Sequence, residues 1–467
     1  MIFIIMPSQH LHAASPLDQW LAYLETLHPT EIELGLTRIK RVAEQLGLKT
    51  PYLKITVGGT NGKGSTCAIL EAILQAAGYK TGVYASPHLV RYNERIRVNG
   101  ELASDTQITE QFYRIDQARA ETSLSYFEFS TLSALLLFEQ EQVDVAILEV
   151  GLGGRLDAVN MVDTDCAIIT SVDVDHIAFL GDSREQIGFE KAHIFRSGVP
   201  AICADPVPPA SVSDYAEKIG ADLWQFGKDF NYSGDAQQWA FGGREQRRSG
   251  LAYPSLRGVN QLLNASAALA ALEALRYRLV VPAQAVREGL HRASIPGRLQ
   301  ILPGDPTVIL DVAHNPHAAG ALAQNLDQMP STGRTLAVVG MFSDKDVAGV
   351  LRLLIDRIDG WYCASVDGAR GLKGQELSAL VNAAKKLGPA TPAGRGADQD
   401  DGNTKPTVKA AAGRRVNYFE SAVQVFDHPV AAFEAAKTEA RPNDRILVFG
   451  SFVTVGPVLE YLGRNPA

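Results

Sequence analysis

The sequence predicts an α/β protein made of two parallel-sheet units. Two series of short, continuously apolar runs alternate with helical stretches, one before and one after "SIPGRLQ" at 294–300, and the first series opens on a glycine loop between a strand and a helix. Unbroken apolarity, rather than alternation, is what strands covered on both faces require. Strand, glycine loop and helix in that order form the setting in which a loop can hold phosphate.

Composition agrees with this class. A chain of 467 residues exceeds what one core usually supports, so about two or three domains are expected, with the main boundary at 297/298. Apolar residues at 46% and charged residues at 21% are ordinary for a soluble globular enzyme. The net charge of -8 argues against a non-specific nucleic-acid binder, whose grooves need clustered Lys and Arg. Four cysteines (Cys67, Cys166, Cys203 and Cys363) contain no CxxC pair, so neither a disulfide framework nor a thiolate zinc site is indicated, and reduced thiols in a cytoplasmic protein are expected. The opening "MIFIIMP" lacks a basic n-region, and no apolar run approaches the ~18 residues of a membrane span, so no membrane partner is expected.

Taken in order, "SPLDQWLAYLETLH" reads as a helix from about Pro16 with Ser15 as its N-cap, and "TEIELGLTRIKRVAEQLG" turns at Gly35 and resumes as a helix ending near Gly47. "YLKITV" is a strand, "GGTNGKG" the glycine loop, and "STCAILEAILQAAG" a helix with Ala68, Ile69, Ala72, Ile73 and Ala76 on its apolar face. "KTGVYAS" (80–86), "VDVAILEV" (143–150) and "CAIITSV" (166–172) supply three more buried strands. Residues 200–258 read as short strands and turns, and a helix "NQLLNASAALAALEALRY" closes the first unit. "TVILDVA", "RTLAVVG", "WYCASV" and "RILVFGS" are the strands of the second unit, and the Gly/Pro/Ala-rich stretch 388–415 reads as a flexible surface insertion.

The loop "GGTNGKGST" at 58–66 breaks the standard pattern, in which a Ser or Thr that grips Mg²⁺ follows the lysine directly; here Gly64 follows Lys63. Ligands in a parallel sheet bind beyond the carboxyl ends of the strands, so the residues there are the ones to inspect. The strand ends carry Ser86-Pro87-His88, Glu149, and Asp173, Asp175 and His176. Backbone N–H groups of residues 60–65 and Lys63 suit phosphate, and Ser86 with Glu149 suits the hard oxygen shell of Mg²⁺; His176 is softer. Each has a plainer role: the loop as a tight packing turn, Glu149 as a strand-end surface carboxylate, His176 as a structural histidine. In the second unit, "DVAHNPHAAG" (311–320) places Asp311, His314 and Asn315 at a strand end before a Pro-led helix, either a second ligand-bearing edge or an Asx-type helix cap. "FSDKD" (342–346) and "GSF" (450–452) lie at two further strand ends.

The motifs "GTNGKGST", "SPHLVRYNERI", "YFEFSTLSAL", "LEVGLGGRLDA", "DH" at 175–176, "EKAHIF", "PGRLQ", "DVAHNPHA" and "GSF" occur in an order that resembles the folylpolyglutamate synthase/dihydrofolate synthase family of the Mur ligase superfamily, over nearly the whole chain. The resemblance implies an N-terminal P-loop-type parallel-sheet ATPase domain, a C-terminal Rossmann-like α/β domain, and an active site in the cleft between them. It implies ATP contacts at Thr60, Asn61, Gly62, Lys63, Asn264, Arg298 and Asp311, and Mg²⁺, one ion or two, on Ser86, Glu149 and His176, with a monovalent cation as a further ligand. The pterin-bearing substrate maps to Ile32, Glu33 and Leu34, to Ser125, Tyr126, Phe127 and Glu128, and to Leu156, Asp157 and Ala158; Tyr126 and Phe127 are equally suited to core packing. Lys191 resembles a lysine that becomes a carbamate, although unmodified it would be an ordinary helix lysine, and His193 stands where the family usually has Gly.

The implied reaction is activation of a substrate carboxylate by ATP and its capture by L-glutamate, with dihydropteroate or reduced folates as acceptors and a monomer as the working form. Lys63, Lys191, Asp311 and His314 are the catalytic candidates and Ser451 a glutamate contact. A monofunctional folylpolyglutamate synthase, a Mur-type peptidoglycan precursor ligase and a non-catalytic nucleotide switch are the competing readings.

Overall fold

The computed structural model describes residues 11–30, 32–235, 237–329, 333–390 and 419–464. The first sheet has eight strands: β1 (Leu53–Gly58), β2 (Thr81–Tyr84), β3 (Ile96–Val98), β4 (Glu101–Leu102), β5 (Val145–Glu149), β6 (Cys166–Ile169), β7 (Pro200–Cys203) and β8 (Asp222–Gln225), in the order β4-β3-β2-β5-β1-β6-β7-β8. Neighbouring strands are parallel except at one edge, where β3 runs antiparallel to both β2 and β4. Val57 stands opposite Glu149, and Gly58 opposite Ile169. That register sets the glycine loop, the end of β5 and the 170–176 segment side by side on one edge. The continuous apolar runs are buried along their whole length in β2, β5 and β6.

The helix after the loop, Lys63–Ala76, is more enclosed than one apolar face allows, since it is buried from Gly64 through Glu71 and again at Ile73 and Leu74. Helices Gln261–Ala274 and Ala283–Arg292 lie over its outer side; the second of these was not expected. The first helix of the chain spans Leu17–Leu27 with Pro16 at its N-cap, one residue later than expected, and Ser15 accepts instead from the His12 N–H. The second, Thr37–Leu46, closes on Gly47 as expected. Residues 231–251 form a small antiparallel sheet of β9 (Asn231–Gly234), β10 (Trp239–Gly242) and β11 (Arg247–Leu251). The buried Glu273 carboxylate holds it by accepting from the N–H groups of Glu245 and Gln246.

The second sheet contains β12 (Gln300–Leu302), β13 (Thr307–Asp311), β14 (Thr335–Val339), β15 (Gly360–Ala364), β16 (Ala422–Phe426) and β17 (Arg445–Phe449), ordered β12-β13-β17-β14-β15-β16. Asp311 and Val339 both stand level with Phe449, so the segments after β13, β14 and β17 share one edge. Strands β12 and β16 went unread in the sequence; β12 has only three residues, and β16 is an edge strand that is only partly buried. The insertion read at 388–415 lies outside the described residues from 391 onward. The two strand-end edges face each other, with Asn61 bonding Asn315 and His317, and Asp175 bonding Lys345.

Candidate active site

The glycine loop is shaped by close approach. A Cβ on Gly59, at φ 143°, would lie 1.9 Å from Thr170 Oγ1, and one on Gly62, at φ 90°, would lie 2.5 Å from Asn264 Oδ1. Only glycine meets both conditions. The loop is braced from β6's end: Thr60 N donates to Ser171 O (2.8 Å), Asn61 N to Ser171 Oγ (3.0 Å) and Thr170 Oγ1 to Asn61 O (2.6 Å). Thr170 and Ser171 were missed as functional residues, although "ITSV" offers hydroxyls where a loop needs backbone partners. Lys63 opens the helix, and its ammonium folds back onto the carbonyls of Gly59 (3.0 Å) and Thr60 (3.3 Å).

A cavity of about 250 Å³ runs along this loop. From the first unit Thr60, Asn61, Gly62, Lys63, Ser86, Glu149, His176 and Lys191 line it, and from the second Arg298, His314, Lys345 and Ser451. Glu149 is the last residue of β5 and is buried, with Oε2 3.4 Å from the Ser86 N–H. Burial pushes its carboxyl pKa up, and Lys63, Arg298 and the Ser86 N–H oppose that rise. His176 sits at φ 53°, and burial holds its imidazole down to about 4, neutral at physiological pH, with Nε2 3.4 Å from Lys345 Nζ. Among the described residues no group of three His, Cys, Asp or Glu forms a ready-made metal site. One carboxylate, one hydroxyl and one imidazole around a phosphate loop nevertheless fit Mg²⁺, which completes its octahedron with water and phosphate oxygens.

Lys191 lies in the last turn of the helix Arg184–Ala192 and is buried; burial first, and then Lys63, push its ammonium down to about 7. His193 turns away onto Tyr215, with ring centroids 4.0 Å apart, and its Nδ1 meets the Phe189 carbonyl at 2.7 Å. The departure at 193 thus occupies a surface stack outside the cavity.

The three pterin-assigned segments come together beside the cavity. Gly35 N donates to Leu156 O (3.2 Å), and Arg38 joins Glu33 to Glu128. Ser125 and Glu128 form a capping box on helix Tyr126–Gln140, and Asp157 accepts from the N–H groups of Leu152 (2.8 Å) and Val159 (2.9 Å). All three thus brace the backbone, while the second carboxylate oxygen of Glu128, Oε1, is buried without a partner. Burial raises Asp157 to about 6. Ile32, Leu34, Tyr126, Phe127 and Leu156 are half-buried and Glu33 is exposed, while Ala158 is buried. Phe127 lies against Gly151, where a Cβ would stand 2.5 Å from its ring, and the Arg95 guanidinium lies over Tyr126. Gly151 and Leu152 reach the cavity wall, so the two clusters share one loop.

On the second unit, Asp311 accepts from Leu299 N and Ala313 N, both at 2.8 Å. Asn264 donates to Gln261 Oε1 and packs on Gly62, and neither Asp311 nor Asn264 reaches the cavity wall. Arg298 does, over the Phe452 ring (5.2 Å), with Asp311 and Glu149 opposing the fall in its pKa that burial causes. His314 Nδ1 bonds Val312 O (2.8 Å), which leaves Nε2 toward Asp175 Oδ2 (3.8 Å); burial, then Lys345, hold this imidazole at about 4. Ser451 Oγ pairs with Thr454 Oγ1 at 2.7 Å. Burial alone would raise Asp175, but His176, Lys345 and His314 outweigh it and hold the carboxyl well below its usual range.

The family comparisons match this architecture. Residues 57–272 match the Mur ligase middle domain, and 297–452 match the Mur ligase glutamate ligase domain. The dihydrofolate synthase/folylpolyglutamate synthase of Escherichia coli K12 is 46% identical, with 96% of each chain covered. The structure of Escherichia coli FolC in complex with DHPP and ADP aligns at TM-score 0.85 and 45% identity, covering 97% of this chain and 99% of that one. The bifunctional enzyme of Yersinia pestis complexed with AMPPNP and Mn aligns at TM-score 0.84 and 44% identity, covering 97% and 100%. The chain belongs to the dihydrofolate synthase/folylpolyglutamate synthase family of Mur ligases.

Proposed function

We propose that the chain joins L-glutamate to dihydropteroate, and to the γ-carboxylate of reduced folates, in an ATP-dependent ligation that releases ADP and phosphate. One observation carries this reading: Lys63, Glu149, His176 and Lys191 of one unit share a cavity with Arg298, His314 and Ser451 of the other. A substrate carboxylate attacks the γ-phosphate to form an acyl phosphate; the amino group of glutamate then attacks the acyl carbon and expels phosphate.

The loop N–H groups and Lys63 hold the phosphates at the helix N-terminus. Ser86, Glu149 and His176 would hold Mg²⁺, which would supply charge neutralisation at the phosphate oxygens. Arg298 adds charge from the second unit, and its approach with that unit excludes water from the acyl phosphate. His314 keeps its Nδ1 proton on Val312 and presents Nε2 as an acceptor for the proton of the incoming amine. Asp311 and Asn264, fixed by backbone and loop contacts, shape the nucleotide cleft, and Ser451 orients glutamate. Lys191, with its ammonium pushed down to about 7, is suited to carbamate formation, which would turn a repelled cation into an oxygen ligand for the metal site. The pterin lies against the cluster of Ile32 to Leu34, Tyr126, Phe127 and Leu156. A boundary at 297/298, a cytoplasmic monomer and a monovalent cation beside Mg²⁺ belong to the same reading.

The test is phosphate release from ATP by the purified chain. Release is expected only when L-glutamate and either dihydropteroate or a reduced folate are both present, with each glutamylated product visible by mass spectrometry. Release indifferent to the acceptor and to glutamate would overturn the assignment.

A further inference from the structure

Lys345 lies in "FSDKD", on the loop after β14, and its side chain is only 7% exposed. Its ammonium crosses to the first unit, 2.7 Å from Asp175 Oδ1 and 3.4 Å from His176 Nε2. An ammonium has three donors and no acceptor, so the imidazole nitrogen that it meets presents its lone pair. That lone pair is the one a metal ion on His176 would use. An ion bonded there at about 2.1 Å would compete with the ammonium for one electron pair and one space, as a like charge.

We propose that Lys345 is a positioning residue that acts as a resident cation: its contact with His176 and a divalent ion on His176 exclude each other. The inference rests on the reading of His176 as a metal ligand. Asp175 is the pivot of the exchange. It accepts from Lys345, from Asn315 Nδ2 (3.2 Å) and from the His176 N–H (2.8 Å), so the turn that bears His176 keeps its shape through contacts that Lys345 only completes. Because Lys345 belongs to the second unit, metal arrival at His176 draws on the docking of that unit. Reciprocity then requires that tighter docking through Lys345 weaken the metal. The residue thereby delays full metal occupancy until another ligand, such as the nucleotide phosphates, supplies the remaining coordination.

The experiment is a Mn²⁺ titration of the nucleotide-free full chain followed by electron paramagnetic resonance, with melting curves as a check on folding. Lys345→Met and Lys345→Gln are expected to bind Mn²⁺ at least about fivefold more tightly than the unsubstituted chain, and Lys345→Arg to match it. His176→Ala is expected to weaken binding and to erase the gain in the Lys345→Met background. Equal or weaker binding in both neutral variants, while His176→Ala still weakens the metal, overturns the competition. If His176→Ala leaves Mn²⁺ affinity unchanged, the ligand assignment itself fails and the inference falls with it.

Discussion

Asn315 caps its own helix and bridges to Asp175 with one amide. Its Oδ1 accepts from the Ala318 N–H at 2.9 Å, while its Nδ2 lies 3.2 Å from Asp175 Oδ2 on the opposite unit. The capping alternative for "DVAHNP" is therefore realised, and the same side chain also bridges the two units. Asn315→Ser keeps a capping oxygen and loses the bridge. Stability is expected to hold within about 1 kcal/mol, while kcat/KM for glutamate falls roughly tenfold, the value of a hydrogen bond to a charged group. An unchanged kcat/KM would reduce Asn315 to a helix cap.

Glu149→Gln keeps the shape of a buried side chain and removes its charge. Turnover is expected to drop by more than about a hundredfold, because the replacement leaves no anionic oxygen for the cation. The melting temperature should stay level or rise, since a carboxylate whose pKa is raised by burial costs stability while ionised. Turnover near that of the unsubstituted chain would remove Glu149 from the site.

Lys191 carries a pH prediction. With its pKa lowered to about 7, the neutral amine needed to capture CO₂ predominates above that value and gives way to ammonium below it. A carbamate carbon resonance from ¹³C-bicarbonate should be present at pH 8, fade below pH 7 and be missing in Lys191→Arg. A signal equally strong in Lys191→Arg would place the carbamate elsewhere.

His176 and His314 set the acid stability of the chain without added metal. Both imidazoles stay neutral in the fold down to about 4, whereas unfolded they protonate near 6.5. Between those values the unfolded chain binds more protons, so stability is fully present above pH 6.5 and is lost as the pH falls toward 4. The loss is on the order of 3 kcal/mol for each imidazole. Denaturation midpoints measured across this range should fall with pH less steeply in His314→Asn; an identical slope would contradict the assignment.

Much of the site could be read from the sequence because parallel sheets deliver strand ends to one edge. Once Gly64 had displaced the expected hydroxyl, topology pointed to the strand ends that carry Ser86, Glu149 and the 173–176 segment, the family resemblance singled out Ser86, Glu149 and His176 among them, and these three do line the cavity along the loop. What escaped depends on contacts between distant segments. Lys345 stood in a quoted motif without a role, because its meaning is its reach to Asp175, 170 residues away. Ser125, Glu128 and Asp157, which the resemblance assigns to the substrate, also accept from backbone N–H groups, a structural role invisible until the helix starts are in place. The enclosure of Lys63–Ala76 was likewise hidden, since it is created by helices some two hundred residues downstream.

Helix Phe452–Tyr461 of the second unit rests directly on the first: a Cβ on Gly456 would stand 2.0 Å from the Leu89 carbonyl. Beside it Gly297 is hemmed in by Leu89, Val312 and Val455, and its carbonyl accepts from Val312 N at 2.9 Å. The connecting chain is thus fastened to the second unit from Gly297 onward, while Ile295, two residues earlier, packs into the core of the first. A swing of that unit held at the Leu89 corner would part the contacts that Asn315 and Lys345 make with Asp175.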